Sequence, residues 1–314
     1  MNIFITRALP GDVLTPLSGV GTVTVSPHAR PLTPAELRAG VAGADAVITT
    51  LNDRVGQEVL TAAGPQLRVV ANTATGYDNL DVAAITAHGA VATNTPGVLV
   101  EATADLTMAL MLDVTRRVSE GDRLIRSGEP WAWDIGFLLG AGLQGRRLGV
   151  VGMGSIGRAV AARALAFGME VVHHSRRGIS TGLDELLSTS DVVSLHCPLT
   201  SETRHLIDEA ALRLMKPTAY LVNTARGPVV DEAALVRALR TGQIAGAALD
   251  VYEDEPRVHP DLLTLENVVL TPHLGSATTE TRTLMAAIAV ENVVAVLTGG
   301  DPLTPVLPAV AERP

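Results

Sequence analysis

Short β-branched runs alternate with Ala/Leu-rich stretches of helical spacing along the whole chain. In the first third, apolar runs predict strands over 3–6, 22–25, 46–49, 68–71 and 90–94. Helical spacing covers 34–42, 54–63 and 80–88 between them. Gly64-Pro65 closes one of these helices, and Gly89 follows another where a left-handed cap is expected. Leu106, Ala109, Leu110 and Val114 then recur at helical spacing, predicting one long helix over 101–126. Ser127-Gly128-Glu129-Pro130 breaks it, and a loop with both tryptophans follows. A second series predicts strands over 148–151, 170–174, 191–196, 219–223, 245–251 and 267–270, with helices notably over 156–167 and 232–241. One helical stretch, 279–297, is left over. Strands that alternate with helices build parallel sheets covered by helices. The expectation is two Rossmann-like, doubly wound α/β domains. One is discontinuous, flavodoxin-like, over 1–98 plus 279–314. The other, over 99–278, is inserted into it.

Composition narrows the function. The chain has 314 residues, 47% apolar and 18% charged, as a folded protein does. Acids outnumber bases 33 to 24, so a general nucleic-acid binder is not expected. Lys216 is the one lysine, which leaves cationic chemistry to guanidinium. Cys197 is the one cysteine, so no internal disulfide or cysteine metal cluster can form; this fits a reducing cytosol. The N-terminus reads as a first strand and not as a secretion signal. The longest uncharged stretch, 82–100, holds His88, Asn94 and Pro96 and makes a poor membrane span. His173, His174, His196 and His205 lack metal-ligand spacing, so no metal is expected. A cytoplasmic protein without membrane or nucleic-acid partners is the expectation.

Gly152-Met153-Gly154-Ser155-Ile156-Gly157 follows the apolar strand at 148–151 and opens the helix at 156. In that context glycines permit a tight turn and close approach of a pyrophosphate, whose charge sits on the helix N-terminus. Gly152, Gly154, Ser155, Ile156 and Gly157 are therefore candidate dinucleotide contacts. The next strand ends in Ser175-Arg176-Arg177, with no acid where an NAD site usually has one. Arginine can bind a 2′-phosphate that an acid would repel. NADP(H) is expected, with NAD(H) as the alternative.

Three patches stand at predicted strand ends, where ligands bind in open α/β sheets. They are Val222–Gly227, Leu249–Pro256 and Thr271–Ser276. With Thr75–Asp81, Asn94–Val98, the glycine fingerprint and His196–Thr200, they make the chain resemble the D-isomer-specific 2-hydroxyacid dehydrogenases. The resemblance is greatest to the glyoxylate/hydroxypyruvate reductase branch.

That resemblance implies roles. Arg226 orients a substrate carboxylate and keto oxygen. His273 is the acid/base, and Glu255 pairs with it; a neighbouring carboxylate favours imidazolium. Backbone N–H groups near Thr75 and Gly76 hold the carboxylate, and Asp250 touches the nicotinamide. Thr103, Pro198, Thr203, Thr224, Ala225 and Gly275 match positions around the cofactor, as does His273. Leu51 and Trp133 match positions near the substrate. The implied activity is NADPH-dependent reduction of a small anionic 2-keto acid to a D-2-hydroxy acid, by a homodimer. Rival readings stand beside these. Glu253 or Asp254 could replace Glu255, Arg226 could be a structural ion-pair partner, and His273 could cap the following helix. Other functions of this fold are D-lactate, phosphoglycerate or phosphite dehydrogenase, or a non-catalytic dinucleotide sensor.

Overall fold

The structure, a computed structural model, describes residues 1–176 and 180–307. The chain divides into two compact units, Met1–Leu99 with the segment from Thr278 onward, and Val100–Ala277.

In the first unit the order is β1 (Asn2–Ile5), β2 (Thr22–Val25), α1 (Pro34–Val41), β3 (Ala46–Thr49), α2 (Gln57–Ala63), β4 (Val69–Asn72), α3 (Val82–Ala87) and β5 (Val91–Thr93). Strand order across its sheet is β5-β4-β3-β1-β2, all parallel, with Pro305–Val306 added antiparallel beside β5. The central strands β3 and β4 are buried at every position, as helices on both faces require. Phe4, Val47 and Val70 pack on the side of α1 and α2, with Leu37, Val41 and Leu60. Ile3, Ile5, Ile48 and Ala71 pack on the other side against Ala286, Val290 and Val293 of the closing helix, Thr279–Leu297. Two polar residues secure that helix. Arg68 donates to the carbonyls of Val296 and Leu297 at its C-terminus, at 2.6 and 3.1 Å. Buried Asn292 accepts the Leu303 and Thr304 N–H groups and so starts the edge strand.

The second unit runs α4 (Val100–Arg116), α5 (Val118–Ser127), β6 (Arg147–Val151), α6 (Ser155–Ala166), β7 (Glu170–His174), α7 (Leu183–Thr189), β8 (Val192–Leu195), α8 (Glu209–Leu214), β9 (Tyr220–Asn223), α9 (Glu232–Arg240), β10 (Gly246–Leu249) and β11 (Val268–Leu270). The described strands order as β11-β10-β9-β8-β6-β7, and all pair parallel. Every strand therefore delivers its C-terminal end to one edge. The first strand of the unit, β6, lies between the second and the third, so the crossovers part there and leave a crevice outside β6.

The expected long helix over 101–126 is two helices. Arg117 takes the left-handed conformation (φ 58°) between α4 and α5. The Asp113 carboxylate accepts the Ser119 N–H at 2.7 Å and its hydroxyl at 2.5 Å, giving the second helix a cap from outside itself. Arg117 forks onto Glu120 at 2.6 and 2.7 Å. Apolar spacing runs through the break, so periodicity alone joins the two. None of the residues of α5 is buried.

No helix among the described residues is long and apolar enough to cross a membrane. No group of His, Cys, Asp and Glu among them could hold a metal ion.

Leu195 is fully buried at the end of β8 between Val193 and Cys197. Leu195→Ala should cost about 2–5 kcal/mol, the usual range for a buried leucine, in reversible denaturant unfolding.

Candidate active site

The glycine turn joins β6 to α6, and its glycines do different work. Gly152 has φ +99°, and a Cβ there would stand 2.6 Å from the His196 carbonyl carbon and the Cys197 nitrogen. The ends of β6 and β8 thus meet backbone to backbone. A Cβ on Gly157 would overlap the Gly152 carbonyl, so glycine lets α6 sit close on its own strand. Gly154, the residue before the helix, faces open space. Backbone there is approachable, and Ser155, Ile156 and Gly157 supply the first N–H groups of a three-turn helix. This turn fits a dinucleotide pyrophosphate.

After β7, the Ser175 carbonyl accepts the Ser180 hydroxyl at 3.1 Å. Arg176 pairs with Glu202 at 3.0 Å, both side chains largely exposed. Such a pair is worth about 0–1 kcal/mol, so a better anion could displace it. Arg177 lies outside the described residues. Thr203 donates to the Pro198 carbonyl at 2.6 Å and accepts the Thr200 N–H at 2.8 Å, closing the turn after β8.

A second group forms where α4 crosses the ends of β9 and β10. Thr107, which sequence reasoning passed over, shares a 2.9 Å hydrogen bond with Thr224. Thr103 donates to the Gly275 carbonyl at 3.0 Å. Asp250 is buried and accepts Thr271 Oγ1 (2.7 Å) and the Leu274 N–H (2.7 Å) on one oxygen, and the Gly275 N–H (2.8 Å) on the other. Its backbone carbonyl also accepts the His273 N–H at 2.9 Å. Thr103, Thr224, Asp250 and Gly275 are therefore brought together.

His273 stands in the loop held by Asp250, in the left-handed conformation (φ 56°). A non-glycine residue there is strained by about 1–3 kcal/mol and persists only where its surroundings impose it. Its Nδ1 lies 2.8 Å from Glu255 Oε2. The other Glu255 oxygen accepts the Tyr252 N–H at 3.1 Å. Tyr252 in turn donates its hydroxyl to the Leu249 and Thr271 carbonyls. The neighbouring acids go elsewhere: Glu253 meets His205, and Asp254 pairs with Arg257.

Arg226 follows β9 in an Asx turn. Asn223 accepts the Ala225 N–H and donates to the Arg226 carbonyl, both at 3.0 Å. Arg226 Nη1 donates to the Ala225 carbonyl at 2.8 Å. A Cβ on Gly227 would overlap the Tyr252 carbonyl. The Arg226 turn and the segment bearing Glu255 are thus packed backbone on backbone.

Two neighbouring residues have perturbed titration. Burial lowers the His196 pKa to about 4, and Ser194 shares its Nε2 at 2.8 Å. Burial pushes the Cys197 thiol up to about 11. Neither is suited to move protons or attack near neutral pH.

In the first unit, Leu51 is partly exposed on the loop after β3. Asp53 shapes that loop by accepting the Thr6 hydroxyl (2.6 Å) and the Thr50 N–H (2.7 Å). Asn79 donates to the Thr50 and Asp53 carbonyls and accepts from Asn72, which donates to the Gly76 carbonyl. The Asn94 amide donates to the Thr75 carbonyl. These asparagines tie the Leu51 loop to the Thr75–Gly76 loop; Asn79 and Asn94 lie inside the quoted motifs, and Asn72 had no such signal. Trp133 is 76% exposed, and none of the described contacts brings it to Arg226, Glu255 or His273.

A glycine turn on a doubly wound parallel sheet, with an imidazole–carboxylate pair at the strand ends, defines a dinucleotide-dependent oxidoreductase. Residues 108–275 match the D-isomer specific 2-hydroxyacid dehydrogenase, NAD binding domain. The chain belongs to that dehydrogenase family and is an NAD(P)-dependent enzyme. It is 46% identical to a glyoxylate reductase of Pyrococcus furiosus over 318 aligned positions, covering 96% of this chain and 94% of the relative. A crystal structure of a Thermus thermophilus protein superposes with a TM-score of 0.93 at 49% identity, covering 98% of this chain and all of that one. The NADPH-dependent glyoxylate/hydroxypyruvate reductase of Sinorhizobium meliloti, solved with NADP and malonate, superposes with a TM-score of 0.83 at 34% identity, covering 97% and 96%.

Gly227→Ala tests the packing of Arg226 against the Glu255 segment. The added methyl should destabilise the fold by about 1–3 kcal/mol. It should also lower kcat/KM by up to ~10²-fold, because one side of the contact must shift. Unchanged melting and turnover would show that the segments need not touch.

Proposed function

We propose that the protein is an NADPH-dependent reductase of small 2-keto acids of the glyoxylate and hydroxypyruvate type, forming D-2-hydroxy acids. The 2.8 Å contact between His273 Nδ1 and Glu255 Oε2, on a loop set by buried Asp250, carries this reading. Similarity to the Pyrococcus furiosus glyoxylate reductase and the Sinorhizobium meliloti reductase supports the substrate class.

A bound nicotinamide nucleotide supplies the hydride. His273, through the nitrogen not facing Glu255, gives a proton to the keto oxygen in reduction and takes it back in oxidation. Glu255 fixes the orientation of the ring through the Nδ1 contact. Arg226 clamps the carboxylate and stabilises negative charge developing on the keto oxygen. Asp250 has spare acceptor capacity for the nicotinamide carboxamide, beside Thr103, Thr224, Ala225 and Gly275. In the discontinuous unit, 1–98 plus 279–314, Leu51 and the Thr75 and Gly76 N–H groups serve the substrate. Neither N–H has an acceptor among the described residues. The inserted unit, 99–278, serves the nucleotide.

Ser175, Arg176 and Arg177 favour NADPH. No acid follows β7 to take ribose hydroxyls, and the weak Arg176–Glu202 pair leaves a guanidinium for the 2′-phosphate. A homodimer completes the reading. Val118, Ile125, Trp131, Trp133, Ile135 and Leu139 are exposed on α5 and the loop after it, apolar side chains that a second copy would cover. Cys197 as the one thiol suits work in a reducing cytosol.

His273→Gln should leave nucleotide affinity intact and cut kcat by ~10²–10⁴-fold, the usual contribution of general acid–base catalysis. Near-normal turnover would remove His273 from the role. Steady-state kinetics with glyoxylate should give a higher kcat/KM for NADPH than for NADH, and Arg176→Ala should narrow the difference. Preference for NADH would overturn the reading of Ser175–Arg177.

A further inference from the structure

A second histidine–glutamate pair stands beside the first, and it rests on the reading of His273 and Glu255 just given. His205 Nε2 lies 2.5 Å from Glu253 Oε1. Glu253 is two residues before Glu255. Its N–H donates to Glu232 Oε1 at 2.6 Å, and its other oxygen accepts the Glu232 N–H at 3.3 Å. Glu232 is buried, and burial raises its pKa, with the hydrogen bond from the Glu253 N–H as the main opposing cause. Two carboxylates are thus held together, and His205 supplies a donor that offsets their repulsion.

The same histidine grips the Arg226 side. Its N–H donates to the Pro228 carbonyl at 2.8 Å, in the short turn Gly227–Val229 that follows Arg226. The next ladder step, Ile207 N–H to the Val229 carbonyl at 3.0 Å, continues the attachment. His205 is itself left-handed, at φ 52°. A strained backbone of this kind is kept where both ends are tied.

We propose that His205 is a positioning residue. Its backbone holds the turn after Arg226, and its ring holds Glu253. It thereby sets the Glu253–Glu255 segment against that turn and Glu255 against His273. None of the described contacts joins His205 or Glu253 to Arg226 or His273.

The test is a double-mutant cycle read in kcat, KM for glyoxylate and NADPH affinity. His205→Ala is expected to lower kcat by ~10-fold or more, with NADPH affinity within about twofold of the parent. His205→Gln, which keeps a donor toward Glu253, is expected to recover most of the loss. In a Glu255→Gln background, His205→Ala is expected to lower kcat by less than about twofold further, since the partner it positions is already disabled. Glu253→Gln serves where the alanine variant does not fold, and should show the same dependence on Glu255. An unchanged kcat in both His205→Ala and Glu253→Gln, or losses that multiply in full with Glu255→Gln, would overturn the proposal. Failure of the underlying reading appears separately, as normal turnover in His273→Gln.

Discussion

The reactive edge of the second unit depends on one buried carboxylate. Asp250 is 1% exposed, and removing such a charge from water is costly unless donors surround it. Its three donors among the described residues come from the five residues 271–275. The loop must therefore wrap around the carboxylate, and His273 is pressed into a conformation its side chain disfavours. An imidazole held by an over-determined backbone keeps its direction when solvent and ligands change. Preorganisation of this kind is what the acid–base role proposed for His273 requires.

Close backbone approach does the rest of the assembly. Gly152 against His196–Cys197, Gly157 against Gly152 and Gly227 against Tyr252 are contacts in which a single methyl would collide. Each joins neighbouring segments at the C-terminal edge of the sheet. Gly154, by contrast, faces open space and leaves its backbone available. The same residue type thus serves packing at three positions and access at one.

Glu253 and Glu255 differ by two positions yet serve different histidines. In a strand, residues two apart share a face. This segment is a turn, and the two carboxylates diverge, one to His205 and one to His273. Composition cannot distinguish them, nor can it rank Asp254, which pairs with Arg257 at the surface.

The amino-acid pattern by itself determined the alternation of strands and helices, the place of nearly every strand and the glycine turn. Strands read as 22–25, 46–49 and 170–174 occur with those bounds, because local hydrophobic runs and glycine punctuation act over a few residues. The patches with Arg226, Glu255 and His273 were legible as predicted strand ends, whereas the choice of these residues within them came from the resemblance to the dehydrogenase family. What only the tertiary structure decided involves polar partners that hydrophobic spacing does not encode, most of them far apart in the chain. The helix break at Arg117 depends on Asp113 reaching Ser119, and apolar spacing does not encode it. Thr107 meets Thr224 across 117 positions because α4 crosses the sheet. Arg68 holds the closing helix across more than two hundred. Asp250 became the organiser of the His273 loop only when β10 and β11 lay side by side. Hydrophobic period is a local signal, whereas polar groups buried on folding are satisfied by whichever segments the fold brings near.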